Sequence, residues 1–196
     1  MTQNGCCNQG DRHIPTFVMD NFIRRLLSPP KKFSKFVSQG NVVADLGCGP
    51  GYFTIPMAKS VGDNGTVYAV DSDAKSIEKL RERTKAQLRS VVEAWIASAS
   101  HVEGIPDGSV DFVLANGVLC CMIDHEGAVA EIKRILKATG IAYLSVTKFY
   151  RKTDPKAVRK DEWNSILKGF EVKERHESIF NRWAIVSPSH EIPEPE

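Results

Sequence analysis

The sequence predicts a three-layer α/β domain built on a doubly wound, seven-stranded, mostly parallel sheet with an antiparallel last strand. Three observations carry this expectation. First, an apolar run of strand length, Val42 to Leu46, ends on Asp45-Leu46 and passes through Gly47, Gly49 and Gly51 into a helical pattern. Second, apolar, β-branched runs keep alternating with helical stretches, the spacing of parallel βαβ units. Third, two alternating runs at 170–176 and 182–186 are separated by a short connection, the signature of an antiparallel hairpin.

Taken in order, residues 1 to about 15 carry turn and loop signals such as Asn4-Gly5 and Ile14-Pro15. From Met19 the pattern is helical, with Phe22, Ile23, Leu26 and Leu27 on one face. Ser28-Pro29-Pro30 stops that helix and starts another, whose apolar face is Phe33, Phe36 and Val37 and whose end is Gly40. After the glycine turn, Phe53, Met57 and Val61 recur every four residues, giving a core-facing helix that tolerates Pro56 near its first turn. Thr66 to Asp71 is the second strand. A helix follows from about Ala74 to Leu88, with Asp73 as its cap or first-turn acid. Val91 to Ala97 is the third strand and Val110 to Asn116 the fourth, entered from a Pro106-Asp107-Gly108-Ser109 turn, with Asp111 supporting the sheet. Val129, Ile132 and Leu136 mark the buried face of the next helix, with Glu131, Lys133, Arg134 and Lys137 solvated. Ala138-Thr139-Gly140 is then expected to turn into a fifth strand, Ile141 to Thr147. A last helix near Lys160 to Leu167 presents Trp163, Ile166 and Leu167.

The first turn is a binding-site design. Glycine admits positive φ and close backbone approach, and a strand-to-helix turn leaves amide hydrogens facing whatever lies above the strand tips. The third glycine arrives one residue too early for the G-x-G-x-x-G dinucleotide fingerprint. Asp45-Leu46-Gly47-Cys48-Gly49-Pro50-Gly51 resembles the first motif of class I S-adenosylmethionine-dependent methyltransferases, and Pro106 to Gly117 resembles that family's fourth-strand region. The resemblance covers about residues 40 to 150. It implies a Rossmann-like methyltransferase fold, S-adenosyl-L-methionine as cofactor, and Asp45 near the methionine end of that cofactor. Asp71, 20 residues after Gly51, ends the second strand where a carboxylate accepts two hydrogen bonds from a ribose diol. The implied cofactor-binding set is Asp45, Gly47, Cys48, Gly49, Pro50, Gly51, Asp71, Ser72, Ser98, Ala99, Asn116 and Gly117. Ser98 departs from the family pattern, which commonly places an acid there against the adenine. Two short helices ahead of the first strand resemble the family's N-terminal cover.

These features divide the chain into a flexible N-terminus with cover helices (1–40), a cofactor-binding methyltransferase domain (41–187) and a disordered tail (188–196). With 196 residues, 42% hydrophobic content and a formal charge of +2, the chain suits one globular core and gives no strong nucleic-acid or membrane signal. No 18-residue apolar run or signal core is present, which points to a cytoplasmic protein. Five cysteines, four of them in the adjacent pairs Cys6-Cys7 and Cys120-Cys121, do not form a disulfide framework. Cys48 reads as a small packing residue in the turn. The other four would gather around a soft metal or arsenic(III) ion if the N-terminus folds back, although their spacing matches no standard metal motif and no metal residue is assigned.

Methyl transfer from a sulfonium needs alignment above all, so a catalytic triad need not be visible. His101, His125 and Tyr150 are the candidate bases, and none is assigned as catalytic. The reading is a methyltransferase acting on an unidentified, preferably small-molecule acceptor, with the oligomeric state open. The alternative is a catalytically silent S-adenosylmethionine-binding regulatory or scaffold subunit. A nicotinamide oxidoreductase is disfavoured by the glycine register.

Overall fold

A computed structural model describes residues 29–85, 88, 90–149 and 153–189. The elements in chain order are β1 (Val42–Leu46), α1 (Thr54–Val61), β2 (Thr66–Asp71), α2 (Ala74–Thr84), β3 (Val92–Ile96), β4 (Val110–Asn116), α3 (His125–Ile135), β5 (Leu136–Thr147), α4 (Lys160–Lys168), β6 (Phe170–Glu177) and β7 (Asn181–Pro188). The seven strands lie in the order β3-β2-β1-β4-β5-β7-β6. All neighbouring pairs from β3 to β5 are parallel, while β7 runs antiparallel to both β5 and β6. The chain therefore winds outward from β1 to β3, returns, and winds the other way from β4. The order reverses between β1 and β4, and it is outside the carboxyl ends of strands at such a reversal that open α/β sheets bind ligands.

Two layers cover the sheet because the strands are apolar on both faces, as parallel strands must be. Met57, Ala58 and Val61 of α1 and Ile77 and Leu80 of α2 pack with Val43, Val67 and Ala69 on one face. Ala128, Ile132 and Ile135 of α3 and Trp163, Ile166 and Leu167 of α4 pack with Ala44, Leu46, Val113 and Leu144 on the other. Asp73 caps α2, its carboxylate accepting from the amides of Lys75 and Ser76, as its position ahead of the helix predicted. Asp111 accepts from the Val42 amide at 2.8 Å and from Lys137 at 2.6 Å, so it joins β1, β4 and β5.

Several local expectations change. Around Phe33 there is only a short 3-10 turn, Ser34–Phe36, in place of a second helix. So short a segment cannot repay helix nucleation, and its shape follows from burying Phe33 against Phe53 and Tyr143 and stacking Phe36 on Phe112. The predicted tail, 188–196, starts too early, because Pro188 is the last residue of β7; residues 190–196 and the helix predicted for 19–27 lie outside the described residues. The residues Ala138-Thr139-Gly140 make no turn, because β5 is already extended from Leu136. A Cβ at Gly140 would lie 2.8 Å from the Val110 carbonyl oxygen, so glycine lets β5 press against β4 where their register shifts between Val110 and Phe112. Finally, α3 buries Ala128, Ile132 and Ile135 while Leu136 belongs to β5, and Glu131 and Arg134 are engaged in a side-chain network rather than solvated.

Candidate functional site

The glycine bend is fixed from below by the backbone of β2. The amides of Gly47 and Cys48 both donate to the Val70 carbonyl, at 2.8 and 3.0 Å. Gly47, Gly49 and Gly51 have φ of 75°, 53° and 89°, the left-handed region that side-chain-bearing residues rarely adopt. Two of these positions also have no room for a Cβ. At Gly47 it would lie 2.9 Å from the Val118 side chain, and at Gly51 2.4 Å from Leu80 Cδ1. The sequence expectation was that the glycines clear space for a ligand. In the structure the protein's own Val118 and Leu80 use part of that space, and the positive φ values are what turn the chain.

Asp45 is buried beneath the bend and accepts from the Thr54 hydroxyl at 2.6 Å, which ties the end of β1 to the first residue of α1. Asp71 stands at the bend's other side. One carboxylate oxygen accepts from the Gly49 amide and the other from the Asp73 amide, both at 2.8 Å. The Cys48 thiol is buried in the turn and donates to the Gly49 carbonyl at 3.4 Å. Burial pushes it well above its ordinary range, and the charges of Asp45 and Asp71 add to that shift, so this cysteine remains a protonated, inert thiol. Arg83 of α2 donates to the Pro50 carbonyl at 2.8 Å and anchors the far side of the turn. Asp45, Gly47 to Gly51 and Asp71 thus form one connected unit, with half-exposed Ser72 directly after Asp71.

The remaining predicted residues border this unit. Ile96 pairs with Asp71 in the sheet, and the Ala97 amide donates to the Asp71 carbonyl at 3.2 Å, so the chain leaves β3 beside the acid. Ser98 is buried. Its hydroxyl lies 3.0 Å from that of Ser100 and accepts from the Ser100 amide, so it is engaged within its own loop. Ala99 is buried beside it. Across the reversal point, the Asn116 side-chain oxygen accepts from the Ser145 hydroxyl at 2.9 Å, and the Gly117 amide donates to the Ser145 carbonyl at 3.1 Å. Gly117 has φ 78°, and a Cβ there would meet nothing within 4 Å. That open side next to Val118 is where the bend borders free space.

The candidate bases separate clearly. His125 is buried, its Nε2 donating to the Met122 carbonyl at 2.9 Å and its Nδ1 meeting a Glu162 oxygen. Both ring nitrogens are occupied in holding the start of α3, so the imidazole is structural. His101 is exposed and pairs with Glu103 at 2.9 Å. Tyr150 lies outside the described residues. Cys120 is buried and its thiol donates to the Gly117 carbonyl at 3.2 Å, while Cys121 is half-buried. Cys6 and Cys7 lie outside the described residues, and among those described no three His, Cys, Asp or Glu side chains group as metal ligands.

Sequence reasoning missed Thr54, Arg83, Val118 and Ser145, which shape the site without touching one another in sequence. Thr54 carried a faint signal, a hydroxyl at a helix start with no cap residue before it. The others depend on which helix faces which turn.

The "Methyltransferase domain" family model matches residues 44–144. Ribosomal protein L11 methyltransferase of Thermosipho melanesiensis is 32% identical over 139 residues, 68% of this chain and 50% of the relative. Demethylmenaquinone methyltransferase of Lactobacillus johnsonii is 31% identical over 143 residues, 71% of this chain and 57% of the relative. The chain spans about half the length of these curated relatives. A solved structure of a SAM-dependent methyltransferase from Aquifex aeolicus matches the fold with a TM-score of 0.75 at 23% identity, covering 91% of this chain and all of that one.

Proposed function

Because the chain belongs to the methyltransferase domain family, whose cofactor is S-adenosylmethionine, we propose that it binds that cofactor outside the carboxyl ends of β1, β2 and β4 and transfers its methyl group to a small-molecule acceptor. The described residues fit such a ligand. The bend carries three glycines at alternate positions, with Gly47 half-exposed and Gly49 and Gly51 buried, Asp71 stands at the adjoining tip, and the side at Gly117 is open. The observation that carries the proposal is the pair of bonds from Gly49 and Asp73 to Asp71. These two donors fix the carboxylate at the tip of β2 beside the glycine bend, the place where a carboxylate in a doubly wound sheet meets a ribose diol.

When bound, the cofactor supplies a methyl carbon already activated by a positive sulfur. This chain's residues would then do four things. Asp71 takes the ribose hydroxyls. Asp45, held by Thr54, places negative charge beneath the amino-acid end. The loop after β3 forms the wall for the base, through the backbone of Ser98 and Ala99 and not through the engaged Ser98 hydroxyl. Asn116 and Gly117, tied to Ser145, form the lip over which the acceptor approaches. No side chain among the described ones is assigned as a base, so alignment supplies the rate, as it can for an acceptor that attacks unprotonated.

Among the described residues, the acceptor side is formed by the 117–125 and 153–157 segments, and the cofactor domain lies within 41–187. Quinone-type substrates in the names of similar proteins favour a small acceptor. The test is transfer of labelled methyl from S-adenosylmethionine to a panel spanning naphthoquinols, phenols, small thiols and a ribosomal protein. Labelling of a small molecule is expected. Labelling of the protein alone, or cofactor binding without transfer to any class, would overturn the acceptor assignment, the second outcome favouring a silent binding subunit.

A further inference from the structure

The connection from β3 to β4, residues 97–109, contains no helix or strand, and beyond its own short turns, such as the Ile105 amide to the Val102 carbonyl, it is held from outside. The hold comes largely from two side chains of α3. Glu131 accepts from the Val102 amide at 2.8 Å, and Arg134 donates to the Val102 carbonyl at 3.0 Å, so both backbone polar groups of one buried residue are gripped by one helix. Arg134 further donates to the Ile105 carbonyl at 2.8 Å and to the Asp107 carboxylate, and it binds Glu131 through two nitrogens at 2.8 and 2.9 Å. The Arg134 carbonyl accepts from Gly108 at 2.8 Å. From the other side the loop rests on Trp95, whose ring lies 2.9 Å from where a Gly104 Cβ would stand and stacks on Tyr68. Glu131 is held below its ordinary carboxyl range by Arg134, with the Val102 amide adding to the effect, so the clamp remains charged at neutral pH.

We infer that Glu131 and Arg134 are positioning residues for nucleoside recognition. They set the place of the 97–99 wall beside Asp71 while touching no ligand themselves. The link is short. Val102 is three residues beyond Ala99, the His101 amide donates to the Ser98 carbonyl at 3.0 Å, and Ala97 is bonded to the Asp71 backbone. Since the Ser98 side chain is spent on Ser100, recognition there falls to backbone groups. Backbone groups can serve only where the loop's course is fixed. Lysine cannot replace Arg134, because one ammonium cannot fork to a carboxylate and reach two carbonyls at once.

The inference rests on the cofactor reading, and the experiment separates the two. S-adenosylhomocysteine affinity is measured by calorimetry for the full chain and for Glu131→Gln, Arg134→Lys and Ile132→Val, the last lowering stability from the same helix while leaving the polar bonds of Glu131 and Arg134 in place. Amide hydrogen exchange is followed in parallel over 98–106. The expected result is binding weaker by roughly fivefold or more in the two clamp variants, with faster exchange at Val102 and its neighbours, and unchanged affinity and loop exchange in Ile132→Val. Affinity within twofold of wild type in both clamp variants while loop exchange rises would overturn the inference and leave the cofactor reading standing. Equal weakening in Ile132→Val would reduce the clamp to general stability and also overturn it. A wild-type chain that binds no S-adenosylhomocysteine would sink the reading itself.

Discussion

Asp71→Asn isolates the charge at the tip of β2 with little change in shape. In the wild type each carboxylate oxygen accepts one backbone amide, from Gly49 and Asp73, at 2.8 Å. Asparagine keeps one acceptor oxygen and turns an NH2 group toward the other amide, so one backbone donor loses its partner. An unsatisfied donor of this kind costs about 1–3 kcal/mol of stability. The effect on the ligand is separate. Hydrogen bonds to a charged group are worth about 1.5–3 kcal/mol, and 1.4 kcal/mol is tenfold, so S-adenosylhomocysteine should bind about 10- to 150-fold more weakly. Calorimetry on the folded variant reads this directly. Asp73→Ala is the control, since its carboxylate caps α2 through Lys75 and Ser76. It should cost about 1 kcal/mol of stability and leave the affinity unchanged. If Asp71→Asn binds within threefold of wild type, or Asp73→Ala weakens binding as much, the ribose assignment fails.

Three further outcomes follow from the same geometry. Gly47→Ala places a Cβ at φ 75° against Val118, so unfolding should shift by about 2–3 kcal/mol, and adding Val118→Ala should recover only part because the backbone strain remains. His125→Ala should lower stability by about 2 kcal/mol by stranding the Met122 carbonyl and Glu162, while methyl transfer per folded molecule changes less than about threefold; a loss of about 100-fold would make it a base after all. The Glu131 carboxyl is shifted down from its ordinary value near 4.5, so the native state binds fewer protons there than the unfolded chain. Its stabilisation is full above that ordinary value and is lost as pH falls through the lowered native one. Glu131→Gln should therefore flatten the fall in stability below about pH 4.5, and an acid limb as steep as wild type would contradict the clamp.

The elements that sequence could reveal were those whose cause is local. The strand-glycine-helix passage at 42–54, the acid ending β2 and the Asp73 cap each follow from residue types at fixed offsets, and each is found where those offsets place it. The antiparallel end of the sheet was legible from two alternating runs, and β7 does insert between β5 and β6. What stayed hidden depends on the partner. Phe33 and Phe36 read as a helical face because spacing does not reveal that Phe53, Phe112 and Tyr143 wait beneath them. Gly140 read as a turn because glycine marks both turns and close strand contacts, and only the Val110 carbonyl decides between them. Glu131 and Arg134, one turn apart on a charged face, look like solvated residues until the 97–109 loop is laid across them. Within the site, the turn could be read but its occupants could not. Val118 over Gly47 and Arg83 on Pro50 come from distant elements that only the wound sheet brings together.

The central claim is that the bend and Asp71 are built for a sulfur-bearing nucleoside, not a dinucleotide. The most direct measurement is titration of the full chain with S-adenosylhomocysteine and, separately, with NAD in one calorimeter under one buffer. The account predicts one-to-one binding of the sulfur ligand with no heat from NAD. Saturable NAD binding with no response to S-adenosylhomocysteine would contradict it.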